Sequence, residues 1–238
     1  MFIVDPGAPR GLQSPDDVLS RLERRLPPLL SVIAGMVDLT GFLTLGNLFT
    51  AHITGNIVVI AALTVRGGRI NPAQILAVPM FIVAVAGTAL LARGSGKRGL
   101  GLLRLLLWVQ FVVLTVVFIF SVITKPSAAP HGLMAVIAAM MAVSAMACQF
   151  ALLRLVWPIV PSTAVMTGNV TNATLLAVNA MSRNHPATPT DLARLKATLN
   201  LVVGFFGGCI VAGISVAYFG DWAWSFPFVL AGIATVMR

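Results

Sequence analysis

The sequence is poor in charged residues, and this shortage excludes a soluble globular protein. Only 10% of the 238 residues are charged, whereas a soluble domain usually carries about 25%. Apolar residues make up 58% of the chain, and the mean hydropathy is +0.95. Because such a chain lacks the polar side chains to cover its own surface, we predict an integral membrane protein.

Acidic residues are scarcer than basic ones, but the excess of positive charge does not indicate nucleic-acid binding. The chain has seven Asp and Glu against 16 Lys and Arg, a net charge of +9. The cations lie between hydrophobic runs rather than on one polar domain, as they do in the cytoplasmic loops of membrane proteins. We therefore expect the lipid bilayer as a partner and no nucleic acid.

Cysteine and histidine are also rare, and their positions offer no catalytic or metal chemistry. Cys148 and Cys209 both lie within apolar runs, and the three histidines stand singly along the chain. Neither pattern has the spacing of a disulfide framework or a metal site. No Ser–His–Asp set can be assembled from the sequence. We expect neither a metal nor a cofactor, and we do not expect an enzyme.

Polar or Gly/Pro-rich breaks divide most of the chain into apolar segments. Crossing about 30 Å of hydrocarbon as a helix takes roughly 20 residues, and most segments come close to that length. They are residues 28–46, 49–65, 72–92, 103–123, 132–156, 162–181, 197–219 and 222–238. Residues 1–26 are polar and lack the apolar stretch of a signal peptide. The sequence thus predicts an all-α, polytopic transmembrane helical bundle over 27–238, with a polar cytoplasmic tail over 1–26.

The number of crossings depends on two short breaks, GNLFT at 46–50 and WPIVP at 157–161. If each break is a hairpin, the chain crosses the membrane eight times. If each is the bend of a broken helix, it crosses six times. We therefore predict six to eight membrane segments. The distribution of Lys and Arg favours a cytoplasmic N-terminus in both cases.

A repeated motif indicates internal duplication. Residues 51–65 (AHITGNIVVIAALTV) and 164–178 (AVMTGNVTNATLLAV) are identical at six of fifteen positions, at an offset of 113 residues. We predict two repeats of about 110 residues, over about 27–125 and 131–238. Repeats of this kind are typical of transporters, whose substrates bind near the midplane where the repeats meet. Six crossings would make the repeats inverted, and eight would make them parallel.

The run GMVDLTGFLTLGNLFTAHITGN over 35–56, together with the second Thr-Gly-Asn at 167–169, resembles the YoaK family. The resemblance covers nearly the whole chain from about residue 27. It implies a transporter-like protein of the bacterial cytoplasmic (inner) membrane, acting on a small molecule that the family does not define. In similar sequences a polar pair often precedes the second bend, whereas here Gln149 is followed by Phe150.

One acid lies inside a hydrophobic segment, and it leads to the candidate site. A charged side chain such as Asp38 costs roughly 2.5–3.5 kcal/mol to insert at the centre of a membrane helix, so it should face protein or water. It is either satisfied structurally by hydroxyls such as that of Thr40, or it binds a proton or cation. The candidate substrate-binding residues are Asp38, His52, Thr54, Gly55, Asn56, Gln149, Thr167, Gly168 and Asn169.

Two functions are consistent with these features. The first is a small-molecule membrane transporter with a midplane site at the paired Thr-Gly-Asn segments, with proton coupling through Asp38 as an option. The second is a membrane scaffold or sensor without transport activity, in which the asparagines clamp helices together. Because the bundle is small for a transporter, a homodimer is a further expectation. Substrate and transport direction stay open.

Overall fold

The computed structural model of the protein is all-helical and describes residues 15–68, 70–181 and 188–237. No strand occurs in these ranges, which confirms the predicted helical bundle. The α-helices are α1 (Pro15–Thr44), α2 (Ile53–Arg66), α3 (Pro72–Gly94), α4 (Gly99–Thr124), α5 (Leu133–Val156), α6 (Met166–Met181), α7 (Pro189–Phe219) and α8 (Ser225–Val236). Two 3-10 helices, Pro126–Ala128 and Gly220–Trp224, precede α5 and α8.

Length and hydropathy separate five candidate membrane-spanning stretches from the short helices α2 and α6, and the 12-residue α8 continues the last of these stretches. Five stretches are long and apolar enough to cross a membrane: Leu19–Thr44, α3, α4, α5, and Pro189–Val236, which contains both α7 and α8. Helices α2 and α6 have only 14 and 16 residues. At about 1.5 Å per residue each is shorter than the roughly 30 Å of hydrocarbon. The breaks at 46–50 and 157–161 therefore precede short helices rather than full crossings.

Helix α1 is longer than the predicted membrane segment. It begins at Pro15 and passes without interruption through Pro27 and Pro28. The expected boundary between tail and membrane domain, at 26/27, falls inside this helix. Residues 1–14 of the expected tail lie outside the described residues.

Helices α1 and α7 pack side by side and run in the same direction. The hydroxyl of Ser31 donates to the backbone oxygen of Leu201 at 2.6 Å. Four residues further along both helices, a Cβ on Gly35 would overlap the carbonyl group of Phe205. The residue numbers of the contacting pairs increase together along α1 and α7, so the two helices are parallel.

Helices α3 and α5 form a second parallel pair, which runs in the opposite direction. The side chain of Asn71, at the start of α3, donates to the backbone oxygen of Leu45 at 3.1 Å. It also donates to that of Pro130, just before α5, at 3.3 Å. Both helices therefore begin where α1 ends. We call this the upper end of the bundle, and the end at which α1 begins the lower end.

Helices α4 and α8 complete the bundle as an antiparallel pair. The ring of Phe118 lies 5.3 Å from that of Phe228, and a Cβ on Gly232 would lie 3.2 Å from the ring of Phe111. Later residues of α8 thus meet earlier residues of α4. Along the chain, α1, α4 and α7 run upward, whereas α3, α5 and α8 run downward.

Positive charge is concentrated at the lower end. Exposed Lys and Arg of the described residues at that end belong to the starts of α1, α4 and α7 and to the ends of α3 and α5. They are Arg21, Arg24, Arg25, Arg93, Lys97, Arg98, Arg104, Arg154, Arg194 and Lys196. At the upper end the described residues include only Arg66 and Lys125.

The close contact of α1 and α7 generates a test of the fold. A Cβ on Gly208 would overlap the carbonyl group of Val32, whereas a Cβ on the neighbouring Gly207 meets nothing within 4 Å. We expect Gly208→Ala to lower the free energy of unfolding by about 1–3 kcal/mol, the usual effect of overpacking. Gly207→Ala should be neutral or stabilising. Thermal unfolding in detergent measures both, and equal melting temperatures would contradict the packing.

Candidate functional site

The carboxylate of Asp38 lies against the chain that leads into α2. Its Oδ1 accepts the backbone N–H of Thr50 at 2.8 Å and that of Ala51 at 2.7 Å. The N–H of His52 lies at 3.4 Å from the same oxygen. Thr50 and Ala51 precede the first residue of α2, so their N–H groups have no partner within that helix. The side chain of Asp38 supplies that partner.

A sharp turn brings these groups together. After α1 ends at Thr44, Gly46 and Asn47 both take positive φ values, 74° and 57°. Glycine adopts this conformation readily, and asparagine tolerates it better than most residues. The turn reverses the chain, so that residues 48–52 descend beside the last two turns of α1. Asp38 meets them there, and α2 then begins at Ile53.

His52 is the second partner of the carboxylate. Its Nδ1 lies 2.6 Å from Oδ2 of Asp38. The side chain of Asp38 is 5% exposed and that of His52 is 35% exposed, so the imidazole stands between the carboxylate and the outside. Oδ1 thus accepts backbone N–H groups and Oδ2 contacts a ring nitrogen, so both oxygens of this buried group have polar partners.

A cavity of about 300 Å³ opens beside this pair. Helices α1 and α7 and the start of α2 form its walls. Its lining residues are Asp38, Leu39, Phe49, His52, Gly55, Phe205 and Cys209. The His52 ring lies 6.2 Å from the ring of Phe49 and 5.2 Å from that of Phe205, edge to face in both cases. The site thus combines one imidazole–carboxylate pair with apolar and aromatic walls.

Asn56 does not join the Asp38 cluster. Its side chain accepts the N–H of Phe49 at 2.9 Å and donates to the carbonyl of Phe49 at 2.8 Å. The side chain is fully buried. The amide therefore fixes the descending segment to the first turn of α2, which is a structural role in this conformation.

Asn169 does the same in the second half of the chain. Its side chain donates to the backbone oxygen of Ser162 at 2.7 Å, seven residues earlier, as Asn56 does to Phe49. Of the other Thr-Gly-Asn residues, Gly55 lines the cavity, whereas Thr54, Thr167 and Gly168 are exposed.

Gln149 belongs to a separate polar cluster inside the bundle. Its amide nitrogen donates to the backbone oxygen of Leu30 and to the hydroxyl of Thr163, both at 2.9 Å. Gln110 donates to its oxygen at 2.7 Å. Along α1, Leu30 lies about 12 Å below Asp38 at 1.5 Å per residue. The structure thus brings Asp38, His52 and Gly55 together at the cavity, whereas Gln149 lies in a separate cluster. Asn56 and Asn169 bond to backbone segments of their own halves, and the remaining three predicted residues are exposed.

Comparison with known proteins identifies the family to which the chain belongs. A family model described as a protein of unknown function (DUF1275) matches residues 26–237. The chain belongs to this family. DUF1275 is the YoaK family, so the resemblance carried by residues 35–56 is confirmed. No curated protein and no solved structure matches the chain.

Sequence reasoning missed several members of these clusters. Gln110 is the one amide side chain in the apolar segment 103–123, and this signal could have identified it as a partner of Gln149. Phe205 and Cys209 carried no signal, because they lie on α7 and reach the cavity only through its packing against α1. Backbone N–H groups are invisible in a sequence.

The clamp made by Asn56 generates a second prediction. In Asn56→Ala the N–H and carbonyl groups of Phe49 lose their partner, and each unpaired buried group costs about 1–3 kcal/mol. We expect a clear fall in melting temperature. Thr54→Ala, at an exposed position two residues earlier, should melt like the wild type. A melting temperature for Asn56→Ala within error of that of Thr54→Ala would refute the structural role of the amide.

Proposed function

We propose that the protein carries a small molecule across the bacterial cytoplasmic membrane, and that the molecule binds in the cavity beside Asp38 and His52. The observation that carries this proposal is a buried carboxylate, bonded to a half-exposed imidazole, at the wall of an open cavity between apolar helices. Ionisable side chains at such depth commonly mark substrate or proton pathways.

The orientation of the bundle follows from its charges. Lysine and arginine accumulate on the cytoplasmic side of membrane proteins, and most of the described cations lie at the lower end. The lower end therefore faces the cytoplasm, together with the start of α1. The alternating directions of α1, α3, α4, α5, α7 and α8 support six crossings, in which the 12-residue α8 forms the last one together with the 3-10 helix Gly220–Trp224 that precedes it.

The arrangement of helices supports two inverted repeats. Helix α2 begins at Ile53 and α6 at Met166, 113 residues apart, which is the offset of the two Thr-Gly-Asn motifs. In both helices the asparagine of the motif donates a hydrogen bond to the backbone oxygen of the residue seven positions before it. The pair α1 and α7 runs upward, whereas its counterpart under this offset, α5 and α3, runs downward. Inverted repeats with interrupted helices at matching positions are a hallmark of secondary transporters.

The exchangeable proton belongs to His52 in this proposal. Backbone N–H groups donate to Oδ1 of Asp38, and Nδ1 of His52 lies 2.6 Å from its Oδ2. We propose that Nδ1 is the donor in this contact. Nδ1 of His52 then holds its hydrogen toward Asp38, and the other ring nitrogen gains or loses a proton. Asp38 positions the imidazole rather than carrying the proton itself.

A scaffold or sensor remains the second candidate, and the asparagine clamps favour it. Asn56 and Asn169 both bond to their own backbone, so neither amide is needed for a ligand. On this account the Asp38–His52 contact is one more clamp, and no small molecule would bind. A homodimer stays a prediction under either function.

The transport proposal predicts a ligand effect that depends on His52. A ligand present at about 100 times its dissociation constant adds about 2.7 kcal/mol to the free energy of unfolding. A thermal-stability screen of purified protein against small cations, anions and neutral metabolites, followed by uptake into proteoliposomes, should yield such a compound. His52→Gln should abolish its uptake, whereas His131→Gln, outside the cavity, should not.

Either of two results would overturn transport. One is a screen in which no compound stabilises the wild type. The other is a stabilising compound whose uptake into liposomes never exceeds that of protein-free vesicles. The first would favour the scaffold, and the second a sensor.

A further inference from the structure

The charge balance of the cavity restricts what it can bind. His52 is faced by Asp38 from α1 and by Cys209 from α7, and the remaining lining residues are apolar or aromatic. Asp38 is thus the only acid or base beside the imidazole among the described lining residues. The pair carries one negative charge when His52 is neutral and none when His52 is protonated.

A net charge within apolar surroundings is unfavourable. The cavity therefore reaches neutrality in two ways, with a proton on His52 or with a bound monovalent cation beside a neutral His52. An anionic ligand would leave at least one unbalanced negative charge in either state. With a neutral ligand bound, only the proton on His52 could balance the charge of Asp38.

The side chains that line the cavity favour organic cations over inorganic ones. Inorganic cations such as Mg²⁺ and Ca²⁺ are held by about six oxygen ligands. Among the described lining side chains only Asp38 offers oxygens, and its Oδ1 already accepts the N–H groups of Thr50 and Ala51. Aromatic faces instead attract weakly hydrated organic cations. The rings of Phe49 and Phe205 flank His52 on two sides. The volume of about 300 Å³ suits a small molecule.

We propose that the cavity binds a small monovalent organic cation in exchange for a proton on His52, an inference that rests on the proposed transport function. The cation is an amine or quaternary ammonium with an apolar substituent. When the cation enters, the imidazolium releases the proton of its outward nitrogen to water. Nδ1 keeps its own hydrogen, which stays directed at the carboxylate of Asp38. When the cation leaves, the proton returns, so each binding step exchanges one positive charge for another.

Calorimetry on the purified wild-type protein tests this exchange without needing transport. Tetramethylammonium, choline and benzyltrimethylammonium serve as cationic probes, and benzyl alcohol and phenylacetate as neutral and anionic ones. Titrations in buffers of different ionisation enthalpy count the protons released. Below neutral pH we expect a cation to bind with release of close to one proton, and the neutral and anionic probes to bind at least ten-fold more weakly.

Variants of the lining sharpen the test. His52→Gln should still bind the cation but release no proton, and Phe205→Leu should weaken binding about two- to five-fold, the loss of one cation–π contact. Phe206→Leu, the same change at the neighbouring exposed residue outside the cavity, should behave like the wild type. Each variant must first match the wild type in its elution as a folded protein.

The possible results distinguish a failure of this cation–proton exchange from a failure of the proposed transport function. The exchange is overturned if none of the three cations binds, if a cation binds without releasing a proton, or if phenylacetate or benzyl alcohol binds as well. In those cases uptake of another compound, dependent on His52, would leave transport standing. If no compound of any charge binds and none is taken up, both proposals fail.

Discussion

The carboxylate of Asp38 and the backbone N–H groups of Thr50 and Ala51 form the contact on which the candidate site depends. Hydrogen bonds to a charged group contribute about 1.5–3 kcal/mol each, enough to hold a short segment that descends into the bundle. The carboxylate also fixes where α2 begins and how His52 is oriented. A structural anchor and a candidate binding group are therefore the same side chain.

This double role explains why the two halves of the chain differ. In the second half Gln149 bonds to Thr163, which lies at the offset of 113 residues from Thr50. A neutral amide there can anchor the segment that returns into the bundle after α5, but it cannot bring a charge. Among the described residues, the first half alone combines the anchor with an ionisable partner. Similar backbone geometry thus serves packing in both halves, and in the first half it also places a candidate binding group.

Much of the fold was predictable from the sequence, and the candidate site only in part. Apolar runs identified the long helices, and the repeated motif lies in the first turn of both α2 and α6. The lone acid, Asp38, indicated a buried site. The role of Asn56 depends on the path of residues 48–52, which a turn at Gly46 and Asn47 determines, and no periodicity encodes that path. Residues on α7 were missed because they meet the site through tertiary packing alone.

The most direct test of this account is nitrogen NMR of protein labelled in its histidines, with the His52 signals assigned by loss in His52→Gln. The account predicts that Nδ1 of His52 stays protonated throughout a pH titration while the other ring nitrogen titrates. In Asp38→Asn that fixed state should be lost. If both nitrogens of the wild type exchange protons freely, as in an isolated imidazole, the carboxylate does not hold His52 and the central claim is wrong.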